Sequence, residues 1–493
     1  MVVENDLSFP RMKHILKLLI FACFAASAGA QISQDGGGRL PPSVVGALRA
    51  ADIPQDAVAV VVQEVGGAPS LDVNGRAAMN PASTIKLLTT FAALELLGPA
   101  HAWVTQALAA APVGEDGVLA GDLYLKGSGD PKLTFEQFWL LLRGLRARGI
   151  RDIRGDLVLD RAALRPNGHD PATFDGKPTR PYNVGPDALL LNFKTIRLTL
   201  APDAAGKSVR VLPEPMPANV DLVNALRLRN NGCGDWQENL RADLSERDGR
   251  YRLSLTGAYS AACGEKTWNI AALPHDRYVL GVFAQLWREL GGRFEGGVRD
   301  GETPADARVL TFVESPALAE IVRDINKFSN NVMARQLYLA LGRVGRVGRV
   351  GHDGGGRAED AEAALRRWLA ARGLDFPELV LENGAGLSRQ ERISAGSLAR
   401  LLAEAWQSPV MPELMSSLPV VAIDGTMKKR LKENGVAGRA HVKTGYLEGV
   451  RAIAGYVLDA RGRRQIVVCF INHPNAKAGQ PALDALLAWI HEG

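Results

Sequence analysis

The sequence predicts an α+β protein: an antiparallel sheet with helices packed on its faces, interrupted midway by a β-rich stretch. Three observations predict it. Runs of apolar, β-branched residues at 57–65 (AVAVVVQEV), 452–458 (AIAGYVL) and 465–472 (QIVVCFIN) read as strands buried on both faces. After Ser83, the residues Leu87, Leu88, Phe91, Leu94 and Leu97 recur three and four apart, the spacing of a helix with one buried face, and Gly98-Pro99 stops it. Between about 195 and 265, the segments 195–200 (TIRLTL), 208–212 and 251–255 (YRLSL) alternate polar with apolar residues, as half-exposed antiparallel strands do.

Taken in order, 41–51 reads as a short helix, 57–65 as a strand and 70–73 as its shorter partner, before the turn Asn74-Gly75 and the Ser83 helix. From 104 to 307 the character is mixed. Segment 121–126 (GDLYLK) is a strand entering the loop Gly127-Ser128-Gly129-Asp130-Pro131, 135–148 a helix, 156–160 a strand and 278–290 a helix ended by Gly291-Gly292. Segment 316–341 reads as one helix or two. The tripeptide repeat 342–351 (GRVGRVGRVG) is too short for a solenoid and reads as a surface loop before the helix 358–372. Strand 440–444 precedes the hairpin of 452–458 and 465–472 around Asp459–Arg463, and 481–491 is a closing helix.

A chain of 493 residues exceeds one simple core and implies two or three domains. Its 46% apolar and 23% charged residues are those of an ordinary folded protein. The formal charge of +5 comes without a basic block interleaved with aromatics, so no nucleic-acid partner is expected. The eight histidines are scattered and no His/Cys cluster has zinc spacing, so neither a metal nor a cofactor is expected. Basic Lys13 and Lys17, the run LLIFACFAA and Ala28-Gly29-Ala30 form a secretory signal over 1–30, with Met12 an alternative start. Ile20-Phe21-Ala22 before Cys23 is a poor lipobox, which favours simple cleavage near Gln31. No later run is long and apolar enough to span a membrane, so a periplasmic protein without a transmembrane segment is expected. In an oxidising compartment Cys233 and Cys263 can pair, whereas Cys469, inside an apolar run, reads as a reduced core residue.

The chemistry lies in three motifs. Ser83-Thr84-Ile85-Lys86 sets a hydroxyl and an amine one helical turn apart, at a helix N-terminus whose free N–H groups favour negative charge. A serine is a poor nucleophile until a neighbouring base takes its proton, and a desolvated lysine can do so. The chain has no other Ser-x-x-Lys. Ser329-Asn330-Asn331 falls between helical stretches and Lys443-Thr444-Gly445 at the end of a strand. Singly, each has a bland reading: a helix cap, a kink, a strand running into a turn. In this order, and on an exported chain, they form the set of serine acyl-transfer enzymes that react with penicillin.

With so long a stretch between Ser83 and Ser329, the chain resembles the class C low-molecular-mass penicillin-binding proteins, the D-alanyl-D-alanine carboxypeptidase/endopeptidase family. Gly127–Pro131, Arg180-Pro181-Tyr182-Asn183, Asn383-Gly384-Ala385-Gly386-Leu387-Ser388-Arg389 and Asp424-Gly425-Thr426 carry the resemblance further. It implies a β-lactamase-like transpeptidase domain (31–104 and 308–493) split by a mixed domain (105–194 and 266–307), itself carrying a β-rich domain (195–265). Two departures stand out: the family has Asp and Ser where Asn383 and Ala385 stand, and Ser or Thr where Tyr446 stands.

The resemblance also implies roles. Ser83 would attack the carbonyl between two D-alanines with Lys86 as base, Ser329 relaying the proton to the leaving amine and Asn331 orienting Lys86 and substrate. Lys443 and Thr444 would attract the terminal carboxylate, and the N–H groups of Ser83 and of Tyr446, beyond Gly445, would form the oxyanion hole. Arg389 and Asp175 would read the free end of a diamino acid. The implied partners are peptidoglycan stem peptides as substrate and β-lactams as covalent inhibitors, and peripheral membrane association is compatible with this reading. The rival classes are a serine β-lactamase, against which the long insertion argues, and a non-catalytic peptidoglycan-binding scaffold.

Overall fold

Five antiparallel strands form the central sheet, in the order Ala440–Leu447, Val450–Leu458, Arg464–Asn472, Val58–Glu64 and Pro69–Val73. The structure is a computed structural model that describes residues 38–166, 168–203, 205, 207–344 and 355–493. The expected signal segment 1–30 and most of the Gly-Arg-Val repeat lie outside these residues. Among the described residues, no helix is long and apolar enough to cross a membrane.

Alternation along the strands explains why they carry unbroken apolar runs. Val58, Val60, Val62, Val467, Cys469 and Ile471 face one layer, where the helices Pro42–Ala50 and Gln480–Glu492 supply Val44, Leu48, Leu483 and Leu487. Ala59, Val61, Ile466, Val468 and Phe470 face the other, built by the helices Lys86–Leu96, Leu318–Phe328, Asn331–Leu341 and Ala395–Gln407. A strand with helices on both faces has no wet side, so each position is apolar; each such buried side chain contributes about 1.5–3 kcal/mol. Cys469 is buried and free.

The interrupting segment leaves and returns on neighbouring strands. Val104–Ala109 carries the chain out and Arg308–Glu314 brings it back, paired antiparallel at the edge of a second five-stranded sheet. A boundary at 307 therefore falls just ahead of the returning strand. Likewise, Lys266–Ile270 pairs with Ile196–Asp203, one strand beyond a boundary at 265. The β-rich part holds two three-stranded sheets, and one of its pairs departs from the expected antiparallel pattern: Val220–Arg229 runs parallel to Arg250–Ser260. Cys233 and Cys263 are disulfide-bonded, with Cα atoms 4.7 Å apart.

Candidate active site

Ser83 sits in the single 3₁₀ turn Ala82–Ile85 that opens the helix Lys86–Leu96. Its side chain caps nothing. Two close approaches hold this turn. Gly445 lies so near it that a Cβ would stand 2.8 Å from the Pro81 carbonyl and 3.0 Å from Ala82 Cβ. On the other side Gly386, at φ +78°, has room for a Cβ only 2.1 Å from the Ala82 carbonyl oxygen and 2.7 Å from Ser83 N. Both contacts are with backbone that cannot step aside. Gly386→Ala is expected to displace Ser83, slowing its acylation by about ten-fold or more and costing about 1–3 kcal/mol of stability. The penicillin reaction rate and a melting curve of the purified variant check this.

Lys86 is buried one turn beyond Ser83, and its Nζ donates to Ser83 Oγ (2.9 Å), to Asn331 Oδ1 (2.6 Å) and to the Ala385 carbonyl. Three acceptors thus match the three N–H bonds of an ammonium. Asn331 reaches this point because the helix Leu318–Phe328 ends at Ser329 in the left-handed region (φ 55°). Asn330 then caps the next helix, accepting from Met333 N (3.1 Å), and Asn331 opens it. The 316–341 stretch is therefore two helices, broken at the Ser-Asn-Asn motif.

Lys443, also buried, donates to Ser329 Oγ (2.8 Å) and to the Thr444 carbonyl (2.7 Å). Its strand is the sheet edge, where Val442 N–H turns away from the sheet to the Pro419 carbonyl (2.9 Å). By the two-residue period of a strand, the N–H groups of Thr444 and Tyr446 point the same way, off the edge. The Tyr446 ring is 63% exposed and lies 3.6 Å from the Arg451 guanidinium carbon. Thr426 Oγ1 lies 2.7 Å from Thr444 Oγ1.

Burial sets the electrostatics. It pushes Lys443 down to about 7. Lys86 is held well below an ordinary lysine, first by burial and then by the charge of Lys443, while buried Glu391 acts against both. Such an amine gives up its own proton more readily than an ordinary lysine, and once neutral it can accept the proton of Ser83.

The remaining expected residues lie further out. Arg389 is half exposed, donates to the Glu448 carbonyl (2.9 Å) and stands 5.0 Å from the Phe174 ring. Asp175, the residue after Phe174, is exposed and accepts from Tyr182 Oη (2.8 Å) and Asn183 Nδ2 (2.7 Å). Phe174, Arg335, Glu382 and Arg389 help line a cleft of ≈ 520 Å³. A larger one, ≈ 920 Å³, runs from Ser329 and Asn331 to Arg180, Tyr182 and Arg197. Cys233 and Cys263 take no part in either cleft.

Sequence reasoning gave no role to the Ala385 carbonyl, to Glu391 or to Thr426. A backbone carbonyl leaves no trace in residue identity, and Glu391 reads as an ordinary polar residue in a loop. The ion pair of buried Lys327 with Asp424 (2.7 Å), which braces the turn before Thr426, was equally hidden.

The sequence model of the D-Ala-D-Ala carboxypeptidase 3 (S13) family matches residues 43–492. The D-alanyl-D-alanine carboxypeptidase of Actinomadura sp. (strain R39) is 30% identical over 447 residues, covering 87% of this chain and 80% of that protein. The crystal structure of penicillin binding protein 4 from Haemophilus influenzae superposes with a TM-score of 0.72 at 24% identity, over 90% of this chain and 99% of that one. The same protein complexed with a β-lactam gives 0.70 at 23% identity, over 91% and 99%.

Proposed function

The chain belongs to the D-Ala-D-Ala carboxypeptidase 3 (S13) family, and from that premise we propose that this serine carboxypeptidase works through an acyl-enzyme on Ser83. The contact of Lys86 Nζ with Ser83 Oγ at 2.9 Å, inside a buried site, carries the reading. Neutral Lys86 takes the hydroxyl proton as Oγ attacks the carbonyl between two D-alanines. The Ser83 and Tyr446 N–H groups receive the oxyanion, each contributing about 3–4 kcal/mol in comparable sites. As the C–N bond breaks, Ser329, hydrogen-bonded to Lys443, relays to the leaving amine the proton that Lys86 took from Ser83, and Asn331 orients Lys86 and the substrate amide. Lys443 and Thr444 attract the terminal carboxylate, Gly445 lets the strand come this near, and water then hydrolyses the ester.

The substrate we propose is the peptidoglycan stem peptide, including cross-linked stems cut as a DD-endopeptidase; the length of the cleft beyond Ser329 and Asn331 supports this. β-Lactams would acylate the same serine, a reading supported by the β-lactam complex of the Haemophilus relative. The signal-like N-terminal sequence supports export to the periplasm. The strand pairings support a catalytic part before Val104 and after Glu314, with the rest inserted between. A stem peptide ending in D-Ala-D-Ala tests the function. The protein should release one D-alanine per peptide and Ser83→Ala none; rapid penicillin turnover without D-alanine release would instead mark a β-lactamase.

Arg389 and Asp175 are proposed to read the free end of the diamino acid in a stem, a forked cation for its carboxylate and an anion for its ammonium. Arg389 stands over the ring of Phe174, the residue before Asp175 in the chain, which supports the pairing. Arg389→Ala is expected to lower kcat/KM for substrates with that free end by about ten-fold or more (~1.4 kcal/mol). Penicillin lacks it, so its acylation rate should change much less. Equal losses on both would mean that Arg389 supports the fold instead.

A further inference from the structure

Glu391 is a fully buried carboxylate in a turn-rich loop beside the catalytic lysine, and the mechanism above does not use it. Its Oε1 accepts the backbone N–H groups of Asn383 (3.0 Å) and Gly384 (2.9 Å), and at longer range that of Glu382 (3.3 Å). The same turn is tied to the nucleophile helix, where Thr89 Oγ1 donates to the Gly384 carbonyl (2.7 Å). Asn383 braces it internally, accepting from Ala385 N (2.9 Å) and donating to the Leu387 carbonyl (3.1 Å). A carboxylate at 383, as in the family pattern, could not make that second bond. Everything in this turn converges on one atom, the Ala385 carbonyl oxygen that receives Lys86 Nζ.

We propose that Glu391 is a positioning residue for Lys86: it holds the 382–386 turn so that the Ala385 carbonyl aims the lysine at Ser83, and its buried carboxylate acts on that amine from the same loop. As an ammonium, Lys86 spends its three N–H bonds on Ser83, Asn331 and Ala385. Once neutral it keeps two N–H bonds and one lone pair. With the Asn331 and Ala385 oxygens holding the two N–H bonds, the lone pair faces the Ser83 hydroxyl. A turn free to move would let it swing away. The charged groups acting on Lys86 are Lys443, Arg335 and Glu391, and Glu391 is the one anion among them. Glu391 in turn faces Glu382, and burial works against its ionisation while the N–H donors favour it.

This rests on the assignment of Ser83 and Lys86, and one experiment separates the two. The rate of penicillin acylation is measured against pH for the full-length protein, Glu391→Gln and Glu391→Ala. If the unaltered protein forms no adduct on Ser83, the assignment itself fails. Given that adduct, Glu391→Gln keeps an oxygen for the backbone N–H groups but removes the charge. Its plateau rate should stay within about three-fold of the unaltered protein, while the acid limb moves to lower pH by about half a unit or more. Glu391→Ala frees the turn and should lower the rate about ten-fold or more at every pH. An acid limb of Glu391→Gln that stays in place, or a plateau as low as that of Glu391→Ala, would overturn the proposal. Should Glu391→Ala fail to fold, the position of the Glu391→Gln limb and a plateau within three-fold decide alone.

Discussion

Lys86→Met is expected to slow penicillin acylation by about 10²–10⁴-fold, the range that a positioned general base contributes. Methionine is close to lysine in length and apolar, so it fills the same buried space beside Ser83. What it removes is the lone pair, together with the donor that holds Asn331 and the Ala385 carbonyl. The site otherwise stays assembled, because Ser83 is held by the turn between Gly386 and Gly445 and Lys443 by Ser329. Folding no longer has to bury an amine, so the melting temperature should not fall. Binding sites of this kind are often less stable than their inactive variants. The time course of covalent labelling by a fluorescent penicillin gives the rate, and circular dichroism gives the melting curve. A variant that acylates at the original rate would remove Lys86 from the mechanism.

A change of two pH units should matter nearly as much. Acylation needs Lys86 neutral, so below its depressed pKa the second-order rate constant should fall about ten-fold for each unit of pH. On the alkaline side Lys443 loses its charge from about pH 7 upward in the free enzyme, and with it part of its hold on the substrate carboxylate. The kcat/KM profile should therefore be bell-shaped. A bound carboxylate favours charged Lys443, so the alkaline limb of kcat should lie higher than that of kcat/KM. Stability follows the same groups with a definite sign. Between about 7, where folded Lys443 titrates, and about 10.4, where an unfolded lysine does, the unfolded chain binds more protons. The contribution of Lys443 to stability thus rises with pH across that window, and is least favourable below it. A flat kcat/KM profile from pH 5 to 9 would mean that neither lysine titrates as its burial requires.

Most of the fold was legible because most of it is patterned. The helix after Ser83 lies where its 3–4 spacing put it, though it is buried on every side from Lys86 to Leu94 rather than on one face, and the two-faced burial of 450–458 and 464–472 follows from the apolar runs at their centres. Less legible were elements whose pattern belongs to pairing rather than to burial. Val220–Arg229 exposes most of its side chains and its apolar alternation is broken at Val223–Ala225, so its sequence signals a strand only weakly and a parallel partner not at all. The returning strand Arg308–Glu314 is an edge with Val309 and Phe312 exposed, and its place is set by a partner some two hundred residues earlier. In the site, the side chains that act on substrate were legible as motifs, since their chemistry restricts residue type. The support around them was not. Gly386 and Gly445 matter through backbone approaches under 3 Å, and Ala385 through its carbonyl, which any residue would provide. Glu391 shows its use only once the three backbone donors around it are seen.

The central claim is that Ser83 is the residue that becomes acylated. Mass spectrometry of the intact protein after benzylpenicillin treatment tests it most directly, followed by peptide mapping of the adduct. The account predicts one added penicillin per chain, located on the peptide containing Ser83, and no adduct in a folded Ser83→Ala variant. An adduct that persists in Ser83→Ala, or that maps to any other peptide, would contradict it.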